Sequence, residues 1–282
     1  MTATIDTVGS KTLRIQPISP ALGAEVEGVD LTQPLSDETV AEIRAAVVEF
    51  KVIFFRDQDI TPEQHVAFGR RFGDLEIHPS TPDDQPHREI LHLKSGGEGA
   101  LRADIWHSDV TYRPCPSFGS ILRARTIPPV GGDTLFCNMA LAYEGLSPAM
   151  KDWLCTLSAE HDILASGRTE GVDVERVRKL FPIVEHPVIR THPETGERVV
   201  YVNRTFTSRI KGLSEKESDW LLDHLSALAS VPEYQCRFKW QPNSIAFWDN
   251  RATQHYASTD YLPAFRHMER VTVIGDKPYF EP

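Results

Sequence analysis

The chain has 282 residues, 40% of them hydrophobic and 25% charged, which is enough for one large domain with a substantial buried core. A formal net charge of −10 argues against a nucleic-acid or anionic-membrane partner, but a small anionic substrate stays open because a pocket needs only one or two local arginines. Cys115, Cys137, Cys155 and Cys236 form no Cys-x-x-Cys pair, Met1–Gln16 lacks an apolar leader, and no apolar run approaches membrane-spanning length. The expectation is a cytoplasmic protein with reduced thiols.

In chain order, Ser36 caps a helix running to about Phe50, with Val40, Ile43, Val47 and Phe50 at helical spacing. Val52–Phe55 follows as a short buried strand. Thr61-Pro62-Glu63-Gln64 is a capping box with proline at the first helical position, and Gly73 is a stop signal. The segment 82–103, with early prolines and then Gly96, Gly97 and Gly99, reads as a mobile lid; 166–177 reads as a second one. Ser147-Pro148 opens another helix, and Ser214-Glu215-Lys216-Glu217 caps a further one through about Leu228. Strand-like runs occupy Phe118–Arg125, Thr134–Cys137, Val188–Thr191, Arg198–Val202, Cys236–Trp240, Ile245–Trp248 and Arg270–Ile274, with Pro193–Gly196 as a hairpin turn. There is no internal repeat and no clear linker. The pattern predicts a single α+β domain over residues 1–282 with a mainly β core, a sandwich or barrel with helices packed outside.

The candidate chemistry lies in His107-Ser108-Asp109. With 11 histidines and 40 acidic residues, chance alone gives roughly one or two His-x-Asp/Glu patterns, and the chain has four, so context must choose. His192-Pro193-Glu194 falls in the hairpin turn. His87-Arg88-Glu89 follows a Pro- and Asp-rich loop. His267-Met268-Glu269 is flanked by Arg266 and Arg270, which suggests charge pairing. His107 sits between Trp106 and Val110-Thr111, a setting suited to a rigid strand edge beside a dry pocket. With His255 far downstream it supplies two imidazoles and one carboxylate, the ligand set of non-haem iron oxygenases, which leaves other coordination positions open. Arg266, shortly after His255, is placed to hold an organic carboxylate through two parallel hydrogen bonds.

Taken together, Trp106-His107-Ser108-Asp109-Val110-Thr111, Gly131-Gly132-Asp133-Thr134-Leu135, Trp248-Asp249-Asn250-Arg251, Thr253-Gln254-His255-Tyr256 and Asp260-Tyr261-Leu262-Pro263, followed by Arg266 and Arg270, resemble the taurine dioxygenase (TauD/TfdA) family from about Ile15 to Tyr279. The resemblance implies a double-stranded β-helix (jelly roll, cupin-like), Fe(II), 2-oxoglutarate as co-substrate, O₂, and a homo-oligomer, dimer or tetramer. It places His107, Asp109 and His255 as iron ligands, Thr134 and Arg266 on the distal carboxylate of 2-oxoglutarate, and His78, Phe206 and Arg270 around the substrate, with His78 and Arg270 directed at a sulfonate. Hydroxylation of the carbon next to that sulfonate would release sulfite and an aldehyde, with succinate and CO₂.

The chain departs from the family at three pocket positions, where a tyrosine, an asparagine and a phenylalanine are replaced by Thr81, Ala103 and Gly167. All three changes remove volume, so the expectation is an anionic substrate with a bulkier or more apolar tail than taurine. Three alternatives stay open: an alkyl sulfatase-type dioxygenase acting on sulfate esters, a cupin-type metal hydrolase or isomerase, and a metal-binding protein without turnover.

Overall fold

The computed structural model describes residues 13–96, 104–165 and 172–282. Two sheets face each other. The larger has seven strands in the order Arg14–Pro17, Ala24–Glu27, Val52–Phe55, Ile245–Asp249, Ser117–Thr126, Arg266–Ile274 and Ile90–Ser95. The smaller has three, Gln235–Phe238, Thr134–Asn138 and Thr253–Ala257, and a single antiparallel bridge from His107 to His255 extends it. Strands far apart in sequence lie side by side, Ser117–Thr126 between Ile245–Asp249 and Arg266–Ile274. This is the jelly-roll arrangement with flanking helices that the sequence predicts.

Side-chain alternation explains why the large sheet reads as uninterrupted apolar runs. Val52 and Phe54 point at the smaller sheet, where they join Phe136, Phe238, Ala246, Trp248 and Met268. Ile53 and Phe55 point the other way and pack with Ile43, Val47, Phe68, Phe72 and Phe247 under the helices Asp37–Phe50 and Pro62–Arg70. Both faces are therefore dry, and all four residues of Val52–Phe55 are buried. Burying each large side chain contributes roughly 1.5–3 kcal/mol. The helices begin where the capping residues indicate: the Ser36, Thr61 and Ser214 side chains accept from Thr39, Gln64 and Glu217 N–H groups, and the last two caps are complete boxes. The hairpin forms between Ile189–Thr191 and Arg198–Val200. Among the described residues no helix is long and apolar enough to cross a membrane.

The expected lid at 82–103 is corrected in part. Ile90–Ser95 is an edge strand of the large sheet, paired in register with Arg266–Val271. Its alternating Ile90-Leu91-His92-Leu93 pattern outweighs the proline- and glycine-rich flanks. In the second expected lid, the helix Val174–Leu180, capped by Asp173, begins at the described end. Residues 97–103, with Ala103, and 166–171, with Gly167, lie outside the described residues.

Three histidines are packed into the core away from the pocket. Burial, only partly offset by a hydrogen bond to the Ile121 carbonyl, lowers the His65 pKa to about 4. Burial likewise lowers His186 to about 4 and His161 well below its usual value. Each is neutral when folded and free to protonate when unfolded. Their stabilising contribution is complete above the unfolded value near 6.5 and is lost as pH falls from there towards 4, at up to roughly 1.4 kcal/mol per pH unit for each histidine. Thermal unfolding followed from pH 7 to pH 4.5 is expected to show Tm falling steadily below pH 6.5, and a flat profile would contradict the assignment.

Candidate active site

The site opens between the two sheets at one end. His255 is on the central strand pair of the small sheet, opposite Phe136, and the bridge brings His107 against it through paired backbone hydrogen bonds of 3.1 and 2.8 Å. Their ring centroids are 4.2 Å apart. Asp109 follows on the same turn, and a coordinating atom from each of His107, Asp109 and His255 lies within 4.8 Å of the other two. His107 and Asp109, selected from four similar patterns, are thus together with the downstream His255. The other three patterns go elsewhere. His192 is buried in the hairpin and donates to Asp249 at 3.0 Å. His87 pairs with Glu63 and Glu89 with Arg70. His267 and Glu269 sit on the far face of the large sheet.

Neighbouring groups fix the orientation of each candidate ligand. The His107 Nδ1–H donates to the Ile105 carbonyl at 2.7 Å, which leaves the lone pair on Nε2. Asp109 Oδ2 accepts from Ser120 Oγ at 2.7 Å; Ser120 in turn accepts from Asn250 Nδ2, and Asn250 Oδ1 accepts from the Asp109 backbone N–H and the Trp248 indole. The Trp248-Asp249-Asn250-Arg251 motif therefore acts as a cradle for Asp109, supported below by the Asp249–Arg251 and Asp249–His192 bonds. Val110 adopts φ +49, a costly conformation for a β-branched residue, and turns the chain away directly after Asp109. Burial raises the Asp109 pKa, but the adjacent Arg270 guanidinium outweighs it, so the carboxyl lies well below its usual range and stays ionised. Burial and the neighbouring His107 push His255 down to about 3, so it is neutral at pH 7. A neutral His255 imidazole and an ionised Asp109 carboxylate are protonation states that suit a divalent metal.

Beside this cluster is a cavity of about 120 Å³ whose walls include Thr134, Trp248, Tyr261, Arg266 and Arg270. Arg266 is 6% exposed, and its Nε and Nη2 have no hydrogen-bond partner. A buried guanidinium with idle donors is costly unless an anion meets it. Burial also lowers its pKa against the opposing influence of Tyr261 and Asp133. Thr134 Oγ1 accepts from the Trp240 indole at 2.9 Å, which leaves its own proton to donate. The Gly131-Gly132 motif permits this arrangement. Both glycines have positive φ, a Cβ on Gly132 would press on Pro128, Tyr261 and Arg266, and Gly132 N–H donates to Asp260 at 2.8 Å. The cavity can hold a small dicarboxylate with one end at Arg266 and the other at the His–Asp–His cluster.

Arg270 is four residues further along the same strand and hence on the same face; it pairs with Asp109, while its buried Nε has no hydrogen-bond partner. Its position supports an anion anchor, and the pairing shows that an internal acid also satisfies part of its charge. His78 accepts from Ser80 N–H at Nδ1, which puts its proton on Nε2, and burial followed by Arg270 lowers its pKa to about 4. Phe206 stands 6.4 Å from the His107 ring and 5.2 Å from Tyr112. Thr81 is buried with an unpaired hydroxyl. Tyr112 is a site candidate that sequence reasoning missed. Its buried hydroxyl has no hydrogen-bond partner and feels Asp109 and Arg270, and its spacing three residues after Asp109 was the available signal.

Two imidazoles and a carboxylate in a dry pocket, next to a buried arginine, define the arrangement of an iron oxygenase that consumes a keto acid. The sequence profile described as "Taurine catabolism dioxygenase TauD, TfdA family" matches residues 14–272. The chain is 38% identical to the alpha-ketoglutarate-dependent sulfate ester dioxygenase of Pseudomonas putida, with 94% of this chain and 91% of that one covered. It is 35% identical to the alkylsulfatase of Acinetobacter baylyi, covering 94% and 86%. The crystal structure of a taurine dioxygenase from Burkholderia xenovorans superposes with a TM-score of 0.83 at 42% identity, covering 95% and 93%. The chain belongs to the TauD/TfdA family: it is an Fe(II)- and 2-oxoglutarate-dependent dioxygenase.

Proposed function

We propose that this enzyme hydroxylates the carbon beside the sulfur oxyanion of an alkylsulfonate whose tail is bulkier or more apolar than that of taurine. In this reading His107 Nε2, Asp109 and His255 bind Fe(II) on one face, and Arg266 with Thr134 holds the distal carboxylate of 2-oxoglutarate. Arg270 and the Nε2–H of His78 take the sulfonate, and Phe206 and Thr81 shape the tail end. The carrying observation is the second buried arginine, Arg270, on the same strand face as Arg266 and beside the ligand cluster. One cationic group serves the co-substrate, and the other, paired with Asp109 through one nitrogen, keeps its unpartnered Nε for a second anion.

Bound iron supplies the oxidising chemistry, with 2-oxoglutarate converted to succinate and CO₂ as O₂ is consumed. The protein's part is positional. Arg270 and His78 fix the anion, so that the adjacent C–H faces the iron side of the pocket, while Trp248 and Phe136 exclude water behind His255. The hydroxylated carbon then loses sulfite: the C–S bond breaks, its electron pair leaves with sulfur, and the hydroxyl proton is released as the aldehyde forms.

A second reading, cleavage of alkyl sulfate esters, is favoured by the names of the Pseudomonas and Acinetobacter relatives. There the C–O bond breaks and sulfate leaves. Cytoplasmic residence fits both readings, because all four cysteines are free thiols. The deciding experiment loads the protein with Fe(II) and 2-oxoglutarate and measures succinate, sulfite and sulfate against taurine, longer alkylsulfonates and alkyl sulfates. Sulfite matching succinate, with longer chains preferred, is expected. Sulfate in place of sulfite would select the second reading, a strong preference for taurine would refute the enlarged tail pocket, and neither anion with any substrate would refute both readings.

A further inference from the structure

The strand Arg266–Ile274 has two working faces. Arg266 and Arg270 point into the pocket, and the intervening His267 and Glu269 point away from it. On that outer face Glu269 lies directly opposite His92 of the edge strand Ile90–Ser95. His92 Nδ1 and His267 Nε2 face each other at 3.1 Å, and Glu269 Oε1 is 3.7 Å from His92 Nδ1. A coordinating atom from each of the three lies within 4.8 Å of the other two, as in the catalytic cluster.

We propose that His92, His267 and Glu269 form a second divalent transition-metal site, on the face of the β-sheet opposite the pocket. Two imidazoles and a carboxylate form a donor set suited to Zn²⁺ and its neighbours. Tetrahedral coordination at about 2.0–2.1 Å separates ligand atoms by roughly 3.3 Å, so the observed spacings need only small side-chain rotations. Glu269 supplies an independent observation that points to a cation. It is 5% exposed, yet its Oε2 has no hydrogen-bond partner and its cationic neighbours stand back, with Arg123 at 4.0 Å and Arg125 at 3.7 Å. Arg123 is committed elsewhere, to the Ile60 carbonyl, Asp59 and Asn243. Arg125 is partly exposed and can turn outward. His92 is open enough for water to complete the coordination shell. The ion pins the edge strand, which contributes Leu93 and Ser95 to the pocket wall, to the strand that carries both pocket arginines.

Zn²⁺ binding by the full chain, measured by equilibrium dialysis, tests the proposal. Wild-type protein is expected to bind two ions tightly. His255→Ala should keep the outer one, and His92→Gln and His267→Gln should each weaken that ion by roughly 10–100-fold or more. Both outer variants should keep the catalytic ion, and the His92→Gln/His267→Gln pair should keep Fe(II)-dependent turnover when no Zn²⁺ is added. Co²⁺ added to His255→Ala should give the intense visible bands of tetrahedral coordination, which the outer double variant combined with His255→Ala should lack. One tight ion in the wild type, or an unchanged second ion in the double variant, would overturn the proposal.

Discussion

Replacing Arg266 by leucine is expected to raise KM for 2-oxoglutarate about a hundredfold while leaving the folded protein as stable as before, or more so. Two charge-assisted hydrogen bonds from a guanidinium to a carboxylate contribute roughly 1.5–3 kcal/mol each, so their loss accounts for a hundredfold or more. The stability half of the prediction comes from Arg266 itself. Its Nε and Nη2 are buried without partners, and an isolated buried cation is a liability that a leucine of similar reach removes. Steady-state kinetics in 2-oxoglutarate and a melting curve without it test the two halves separately. A large drop in Tm with unchanged KM would mean that Arg266 is structural.

Asp109→Ala is expected to have the opposite profile. Turnover should fall by at least about a thousandfold, because losing a ligand removes several kcal/mol of metal-dependent stabilisation, and Fe(II) retention in dialysis should fall with it. The protein should also lose about 3–5 kcal/mol of stability, because Arg270 pairs with this carboxylate and would be left as a buried, uncompensated charge. Combining it with Arg270→Leu should recover much of the stability and none of the activity. If the double variant melted no higher than Asp109→Ala, the buried pair would not be the source of the loss.

The parts of this protein that could be read from the sequence are those governed by local chemistry. Ser36, Thr61 and Ser214 announce helices because a hydroxyl that caps an N-terminus acts within three residues. Val52–Phe55 announces a strand dry on both sides, and His192-Pro193-Glu194-Thr195-Gly196 a turn. The grouping of His107, Asp109 and His255 and the candidacy of Arg266 were legible only through the order of several motifs, since His-x-acid alone occurs four times. Other features depended on contacts between distant segments. Ile90–Ser95 looked like loop because its flanks are rich in turn residues, and the strand exists because Arg266–Val271 offers it an edge. Ser158–His161 and Thr207–Ile210 are short and half polar, so neither has a period to detect, and they form by pairing with each other. The support of Asp109 by Ser120 and Asn250 spans 11 and 141 residues of sequence, beyond any local pattern.

The strand that bears Arg266 and Arg270 also works as a ruler. Four residues of extended chain set the two α-carbons about 13 Å apart, and the sheet on either side keeps that span from stretching. If one arginine holds the co-substrate and the other the substrate's anion, the distance between the two charges is set by the backbone rather than by flexible side chains. Substrates would then be graded by how far their reactive carbon lies from their charge, with tail length a weaker criterion. Inserting a single residue between the arginines would turn one of them to the opposite face of the sheet, so this spacing is a property of the fold that loop variation cannot retune.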